Sequence, residues 1–366
     1  MRKTILAAFL FILIQSLNSQ EKLKPGFDAE ECKKMLEISA HSVDTPWVKM
    51  SVAYPQHYNL VYRSDTVGLK NRWDLWLRDD SVGVISIRGT VAETISWLED
   101  FYSAMIPAAG KIKIGKGKDL IYKLADDTAA YVHAGFLLGL AYLAPEIVNK
   151  INGNYIKGVK EYFITGHSQG GAIANLLTSY LHYLPEGTIP GDIKFKTYSS
   201  APPKCGNLFY SYDFDYITRG GMAFRIVSTL DWVPMMPFTV QTIYDFNKNN
   251  PVATVDTVLM EQNIFTRIAA GLIEKSILES LNDARDILIK YLGEIIFKVI
   301  KESIPGIKEP QYAATMDYTS CGVPVILIPR NDYFKFYNYR KGMSGIFMHH
   351  FPGAYYYLLK EEFPKQ

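Results

Sequence analysis

The sequence lacks an excess of charge of either sign. Its 366 residues carry 39 Lys and Arg against 37 Asp and Glu. Residues 1–19 hold two of the basic residues and no acidic ones, so the rest of the chain is balanced at 37 of each. Because nucleic-acid binding depends on clustered positive charge, no nucleic-acid partner is expected. Basic runs such as residues 111–118 are interpreted as solvated loops.

Cysteine is scarce, and no Cys or His cluster has the spacing of a metal site. The three cysteines, Cys32, Cys205 and Cys321, are far apart and odd in number. One disulfide plus a free thiol is compatible with this pattern, but the pairing cannot be deduced from the sequence. No metal and no cofactor are expected.

Long apolar runs that could span a membrane are not expected beyond the N-terminus. Residues 1–19 start with two basic residues, continue with a ten-residue apolar core and end in small residues. This pattern predicts a secretory signal peptide cleaved near Ser19, because the apolar core is too short for a transmembrane helix. We therefore expect residues 20–366 to form one exported domain, secreted or periplasmic.

The most informative motif runs from Gly166 to Gly170, with Ser168 at its centre. An apolar strand pattern precedes it, and a helix pattern extends from about residue 171 to 183. A tight strand-to-helix turn of this kind lifts the serine hydroxyl clear of a sheet, and the helix N-terminus faces the developing negative charge of acyl transfer. Because the motif also arises by chance, its interpretation depends on the flanking strand and helix. The chain is predicted to be a serine hydrolase.

Strand and helix patterns alternate along the chain, which indicates an α/β sheet with sites at the carboxyl ends of its strands. Two strands at 72–78 and 82–87, separated by a short polar turn, predict a hairpin-like pair. Residues 28–62 are predicted to be helical, for example over 29–43. The other predicted elements are the elbow strand before Ser168, strands 193–199 and 223–228, and helices 129–144 and 171–183.

Residues 258–306 carry a different pattern. Apolar residues recur at steps of three to five between Ile264 and Val299, with charged residues on the other face. This pattern predicts an amphipathic helical insertion. Because a single helix here would be on the order of 60 Å long, we expect a break near Asn282-Asp283 into two packed helices. The pair either covers the core or forms a cap or a lipid-contacting surface.

A serine nucleophile needs a histidine base and a carboxylate that orients the base. In α/β-hydrolases both follow the serine in the chain, the acid first. Asp231 comes just after the predicted strand 223–228, where such a carboxylate belongs. Of the seven histidines, only His349 and His350 follow Asp231. We favour His350 as the base, with His349 as the alternative.

An oxyanion hole needs two backbone N–H groups. Gln169, directly after the nucleophile, is a candidate for one of them. The strand 82–87 leads into Gly89 and Thr90, and Thr90 is a candidate for the second, oriented by its hydroxyl group. On the residues alone, a simple turn at Gly89-Thr90 is an equal alternative.

Taken in order, these motifs resemble the class 3 lipases, a family that includes the fungal triacylglycerol lipases. The resemblance covers roughly residues 60–240 and the last thirty. The matching segments are 87–90, 96–100, 132–136, 165–172, 202–207 and 231–234, with His350 and Tyr355.

The resemblance implies an α/β-hydrolase fold, with a mostly parallel central sheet flanked by helices. The helical insertion predicted over 258–306 would lie between the catalytic Asp and His of that fold. The resemblance also implies that His133 is structural and that a lid lies at about residues 101–130. The implied catalytic triad is Ser168, Asp231 and His350, and the implied oxyanion donors are Thr90 and Gln169.

The chain departs from the family pattern at two places, and both bear on which acyl groups it would accept. Asp231 and His350 are 119 residues apart, a longer separation than the pattern suggests, and the helical insertion accounts for the excess. Cys205 stands where an apolar residue is usual. Family knowledge about acyl specificity therefore transfers poorly to this chain.

The resulting hypothesis is an exported serine hydrolase that cleaves carboxylic esters, with acylglycerol or other lipid esters as substrates and transient contact with lipid surfaces. The nearest alternatives are a phospholipase A1 or a short-chain esterase with the same triad. A lipid- or partner-binding protein on a hydrolase scaffold is the non-enzymatic alternative. Nothing in the sequence specifies an oligomeric state.

Overall fold

The computed structural model describes residues 21–42, 52–247, 264–330, 332–338 and 343–364. The predicted signal peptide and residues 258–263 of the predicted insertion lie outside these ranges.

A seven-stranded sheet forms the centre of the fold. In spatial order its strands are β1 (Tyr58–Arg63), β2 (Trp73–Arg78), β3 (Gly83–Ile87), β8 (Glu161–His167), β9 (Lys194–Ser200), β11 (Ala223–Ser228) and β13 (Val323–Leu327). The strands β1, β2 and β3 pair antiparallel, as the predicted hairpin requires. Every pair from β3 to β13 is parallel. The carboxyl ends of these parallel strands therefore meet at one edge.

Helices cover both faces of this sheet, and the predicted α/β-hydrolase fold is confirmed. On one face lie α1 (Ala29–His41) and α10 (Pro352–Glu362), and on the other lie α3 (Ala134–Tyr155) and α4 (Gln169–His182). The remaining described helices are α2 (Thr94–Phe101), α5 (Leu208–Ile217), α6 (Ile264–Ile289), α7 (Ile296–Ser303), α8 (Tyr333–Phe336) and α9 (Met343–Ile346).

Two smaller sheets lie outside the central one. A four-stranded sheet has the order β12 (Tyr318–Thr319), β10 (Gly206–Asn207), β7 (Tyr131–His133) and β4 (Met105–Pro107). A hairpin pairs β5 (Ala109–Gly115) with β6 (Lys118–Lys123).

Side chains on the central strands alternate between two cores. On β2, Trp73 and Leu75 join the larger core with α3 and α4, whereas Trp76 joins the core of α1 and α10. On β8, Ile164 joins the larger core and Phe163 joins the core of α1 and α10. Because helices cover both faces, both sets of side chains are apolar. This explains the almost continuous apolar runs from which the strands were predicted.

The helix before the elbow strand differs from its prediction over 129–144. It begins only at Ala134, after strand β7, and continues through Pro145 to Tyr155. An interior proline costs a helix about 3 kcal/mol. The burial of α3 offsets this cost, because the helix is buried on all sides from Ala134 to Ala141 and on one side after Pro145. This helix is also long and apolar enough to cross a membrane, yet 72% of the apolar window is buried inside the fold. It is therefore a core helix and the exception to the expected lack of long apolar runs.

The prediction of helix over residues 28–62 is only partly right. Helix α1 ends at His41, and residues 58–63 form the edge strand β1, paired with β2. The pairing of Tyr62 with Leu75 and of Leu60 with Trp76 supplies cross-strand contacts. These contacts depend on a partner strand, so they cannot be inferred from the local pattern of β1.

The predicted break of the insertion near Asn282-Asp283 is wrong. Helix α6 continues through it to Ile289, a π-helical turn follows at Lys290–Ile295, and α7 continues to Ser303. Asn and Asp lower helix propensity by less than about 0.7 kcal/mol each. In addition, the Arg285 guanidinium donates to Asn282 Oδ1 at 2.9 Å along the helix surface. The low helix propensity of these two residues is therefore too small an effect to interrupt the backbone hydrogen bonds of the helix.

Candidate active site

The turn between β8 and α4 holds Ser168 in an unusual backbone conformation. Its φ of +60° and ψ of −132° lie outside the regions that a residue with a side chain normally occupies. Two glycines permit the turn. A Cβ on Gly166 would lie 2.2 Å from the carbonyl carbon of Gly170, and one on Gly170 would lie 2.2 Å from the carbonyl oxygen of Ile87. The turn therefore has the geometry of a nucleophile elbow.

Three of the predicted site residues meet at the carboxyl edge of the central sheet. Ser168 follows β8, Asp231 follows β11, and His350 precedes α10. His350 Nε2 lies 2.7 Å from Ser168 Oγ, and His350 Nδ1 lies 2.8 Å from Asp231 Oδ2. The carboxylate and the imidazole are almost fully buried. This geometry allows the imidazole to accept the hydroxyl proton while the carboxylate holds the opposite ring nitrogen.

Further hydrogen bonds hold the Asp231 carboxylate in one orientation. The Tyr355 hydroxyl donates to Asp231 Oδ2 at 2.7 Å, and the Val233 backbone N–H donates to Oδ1 at 3.0 Å. The Tyr355 oxygen in turn accepts from the Ser228 backbone N–H at 3.0 Å. Tyr355 belongs to the motif that carries the resemblance, but its double role as donor and acceptor was not predicted.

The structure distinguishes the two late histidines. His349 Nδ1 lies 2.7 Å from the Tyr333 hydroxyl, whereas His350 bonds to Ser168. Burial lowers the pKa of His349, which keeps this ring neutral. Only His350 therefore reaches the serine.

A third histidine, His167, supports the backbone next to the candidate base. Its Nε2–H donates to the His350 carbonyl oxygen at 2.7 Å, and its Nδ1 lies 2.9 Å from Ser200 Oγ. Burial, and then the proximity of the His350 ring, lowers the pKa of His167 well below its usual range. The ring stays neutral, so it positions the segment that carries His350 without competing for the proton. The sequence held no signal for this contact beyond the place of His167 in the elbow.

The candidate oxyanion residues are joined by Asp100. The Thr90 hydroxyl donates to Asp100 Oδ2 at 2.8 Å, and the Gln169 side-chain amide donates to Oδ1 at 3.0 Å. Burial raises the pKa of Asp100 to about 7, against the opposing effect of these two donors. The strand end carrying Thr90 approaches the elbow closely, since a Cβ on Gly89 would lie 2.7 Å from the His167 carbonyl oxygen. Asp100 lies in one of the segments that carry the resemblance, but no role was predicted for it.

His133 caps helix α3. Its Nδ1 accepts from the Phe136 backbone N–H at 3.3 Å, and its Nε2–H donates to the Asp100 carbonyl oxygen at 3.2 Å. Burial lowers the pKa of His133 to about 3, so the ring is neutral. These contacts agree with the structural role that the resemblance implies.

A cavity of about 380 Å³ lies beside Ser168 and His350. Helix α2, the segment after Asp231 and the π-helical turn of the insertion all contribute to its walls. The walls are mostly apolar and include Trp97, Phe101, Phe136, Trp232, Val233, Met236, Phe238, Leu292 and Phe347. A cavity of this kind suits an apolar group placed next to the serine hydroxyl.

The lid predicted at about 101–130 is wrong for most of that segment. Only Phe101 and Ser103 of it line the cavity. The rest forms strands β4, β5 and β6, and side chains such as Ile106, Ile112 and Leu120 are buried in the larger core. These residues cannot lift as a cover without losing core contacts.

Among the residues that the structure describes, no group of three or more His, Cys, Asp or Glu could hold a metal ion.

A comparison with family models matches residues 84–241 to the lipase (class 3) family. The matched segment makes up less than half of the chain. The resemblance inferred from the motifs is confirmed by this match, and the lipase segment contains Thr90, Ser168, Gln169 and Asp231. The family consists of hydrolases of carboxylic esters. His350 lies beyond the matched lipase segment.

Similar solved structures are also lipases. A Rhizomucor miehei lipase propeptide complex has 19% identity and a TM-score of 0.43, with 58% of this chain and 65% of that chain covered. The chain thus spans less than two thirds of that protein. Rhizomucor miehei triacylglyceride lipase has 20% identity and a TM-score of 0.43, and the match covers 58% of this chain and 77% of that chain. The lipase from Rhizopus microsporus var. chinensis has 18% identity and a TM-score of 0.42, and the match covers 59% of this chain and 71% of that chain. No curated protein is significantly similar to the chain.

Proposed function

We propose that this protein hydrolyses carboxylic esters that carry an apolar acyl group, with acylglycerols or other lipid esters as the substrate class. The observation that carries the proposal is the hydrogen-bonded series Ser168, His350 and Asp231 beside an apolar cavity. The match of residues 84–241 to a lipase family supports the same chemistry.

In the proposed reaction, Ser168 Oγ attacks the ester carbonyl carbon while His350 Nε2 takes its proton. Asp231 stabilises the imidazolium and holds the ring in the correct tautomer. His350 then donates the proton to the departing alkoxide, which leaves as an alcohol. A water molecule then attacks the acyl-enzyme while His350 Nε2 takes its proton. His350 returns this proton to Ser168 Oγ as the carboxylic acid is released.

The proposed oxyanion donors are the backbone N–H groups of Thr90 and Gln169. Each donor stabilises the negative charge that develops on the carbonyl oxygen, and losing one donor of this type slows an enzyme by about 100- to 1000-fold. Asp100 bonds to both side chains and so acts as a positioning residue for this part of the site. It does not contact the reacting atoms.

Exposed apolar side chains near the cavity support the proposed substrate class. Phe101, Trp232 and Phe238 line the cavity, yet they are 49%, 39% and 63% exposed. An exposed apolar patch beside a cavity is typical of surfaces that contact lipid or an apolar partner. We therefore propose transient contact with lipid aggregates, and export of the protein as its N-terminal pattern predicts.

A panel of p-nitrophenyl esters from acetate to palmitate tests this proposal, run beside emulsified triacylglycerol and phosphatidylcholine vesicles. We expect ester turnover that Ser168→Ala abolishes while the circular dichroism spectrum is retained. Equal turnover by a folded Ser168→Ala variant would contradict the proposal. Preference for vesicles would favour a phospholipase A1, and loss of activity beyond butyrate would favour a short-chain esterase. Vesicle binding by the wild type without turnover would favour a lipid-binding protein.

A further inference from the structure

The π-helical turn of the insertion, residues 290–295, is docked against the segment that borders the cavity. The Ala104 backbone N–H donates to the Leu292 carbonyl oxygen at 3.2 Å. A π-helical turn interrupts the regular i to i+4 hydrogen bonds, which leaves a carbonyl available to a donor outside the helix. The close approach of this turn to Ala104 requires glycine at position 293, because a Cβ on Gly293 would lie 2.7 Å from Ala104 Cβ and 3.2 Å from the Tyr312 ring.

The insertion is anchored on the C-terminal side of this turn as well. The Phe297 ring lies 6.2 Å from the Tyr102 ring, and Ile300 is completely buried in the larger core. The hydroxyls of Tyr102 and Tyr312 lie 3.0 Å apart. The turn and helix α7 are therefore a packed part of the fold rather than a loose cover.

The side chain that this turn contributes to the cavity is Leu292. It is partly buried, packs near Met105 and Met316, and lines the cavity together with Phe101 and Ser103. We propose that residues 290–295 complete an acyl-binding subsite and that Leu292 determines the size of the acyl group accepted. This inference rests on the proposed ester hydrolysis. It concerns the insertion, which is where the chain departs from its family's pattern, so the resemblance does not supply it.

Substitutions at Leu292 change the volume of this wall in opposite directions. Leu292→Ala widens the subsite and raises kcat/KM for long acyl chains relative to butyrate. Leu292→Trp fills the subsite and lowers kcat/KM for long chains more than for acetate. One methylene of fit in an apolar pocket changes kcat/KM by about 10- to 200-fold. We therefore expect the ratio of long-chain to short-chain kcat/KM to move about tenfold in each direction.

A matched control comes from the same turn. Ile295 is 36% exposed and does not line the cavity, so Ile295→Ala should keep the chain-length profile of the wild type. The measurement is kcat/KM for each member of the p-nitrophenyl ester panel, with a thermal unfolding curve for every variant.

The outcomes separate this inference from the function on which it rests. A wild type that neither turns over esters nor reacts with a serine-directed fluorophosphonate would refute the proposed function. An active wild type, with Leu292→Ala, Leu292→Trp and Ile295→Ala all showing its chain-length profile, would overturn the subsite and leave the function intact.

A second inference concerns two thiols. Cys205 Sγ and Cys321 Sγ lie 3.7 Å apart, and both side chains are buried. Strand pairing brings their backbones together, because Gly206 of β10 lies opposite Thr319 of β12. Cys32, in contrast, is buried in α1 in the other core. All three cysteines are free in this structure.

We infer that Cys205 and Cys321 form a disulfide in an oxidising compartment, the environment that the N-terminal pattern predicts. With oxidised glutathione as oxidant, one protein thiolate attacks the glutathione disulfide and releases one glutathione. The second protein thiolate then displaces the other. The two protein thiols are oxidised, and one glutathione disulfide is reduced to two thiols. The closed loop, with its ends 116 positions apart, contains Asp231 and the insertion.

Refolding in a buffer of reduced and oxidised glutathione tests this pairing, followed by non-reducing digestion and mass spectrometry. We expect a peptide pair joining Cys205 to Cys321, and a Tm about 5 °C above that of the reduced protein. Cys32→Ser should keep both the peptide pair and the shift, whereas Cys205→Ser should lose both. Alkylation of both Cys205 and Cys321 in the oxidised wild type, or a cross-link to Cys32, would overturn the inference.

Discussion

Tyr355→Phe removes one hydroxyl that serves two buried partners. The hydroxyl donates to the Asp231 carboxylate at 2.7 Å and accepts from the Ser228 N–H at 3.0 Å. A hydrogen bond to a charged group contributes about 1.5–3 kcal/mol, and a buried N–H without a partner costs about 1–3 kcal/mol. We therefore expect Tyr355→Phe to lower the free energy of unfolding by about 3–5 kcal/mol.

The same substitution should slow catalysis, because the Asp231 carboxylate loses one of the contacts that hold it against His350. A small misplacement of a catalytic group costs up to about 100-fold, so we expect kcat to fall about 10- to 100-fold.

The matched control is the next tyrosine on α10. The Tyr356 hydroxyl donates to Glu37 Oε1 at 2.8 Å in a partly exposed position away from the site. Because this bond also ends on a buried carboxylate, Tyr356→Phe should lower stability by about 1.5–3 kcal/mol, which is less than for Tyr355→Phe because no buried N–H loses its partner. It should leave kcat unchanged. The assays are urea unfolding at equilibrium and ester turnover below the unfolding transition. Equal effects of the two substitutions on both quantities would refute this reasoning about the Asp231 network.

Three further predictions concern the elbow, the triad and Asp100. Gly170→Ala places a Cβ 2.2 Å from the Ile87 carbonyl oxygen and should abolish activity and lower Tm. Gly153→Ala, where a Cβ meets nothing within 4 Å, should be neutral or stabilising by up to about 1 kcal/mol; equal Tm values for the two would contradict the packing argument. Asp231→Asn should lower kcat by about 10⁴-fold through the wrong imidazole tautomer, and activity near that of the wild type would exclude Asp231 as the orienting acid. Because burial raises the pKa of Asp100 from 3.8 to about 7, the folded state binds its proton more tightly. Binding of this proton makes its full contribution to the free energy of unfolding below about pH 4. The contribution is lost as the pH rises towards 7. The free energy of unfolding, measured with urea across this pH range, should decline less for Asp100→Asn than for the wild type. Equal declines in the two proteins would contradict the raised pKa.

Much of the central sheet was predictable because its physics is local. The strands carry apolar residues on both faces since helices cover both, and the elbow needs glycine at two fixed positions. Chain order alone restricted the candidate base to His349 and His350, and strand position selected Asp231. Each of these inferences uses residues that are close in sequence or in a fixed order.

Other features depend on contacts between distant segments. Strand β1 exists because it pairs with β2, and α3 continues through Pro145 because most of the helix is buried in the core. The role of Asp100 depends on Thr90 and Gln169 coming to it from two different strand ends. The unbroken helix through Asn282 shows the limit of propensity, since a difference of a few tenths of a kcal/mol does not end a helix.

The most direct test of the account is covalent labelling of the wild type with a fluorophosphonate, followed by peptide mass spectrometry. We predict one label per chain, on Ser168, with loss of ester turnover in proportion to labelling. His350→Ala should prevent the reaction, because no base then accepts the hydroxyl proton. A label on another residue, or an unlabelled Ser168 in a folded protein that still cleaves esters, would contradict the account.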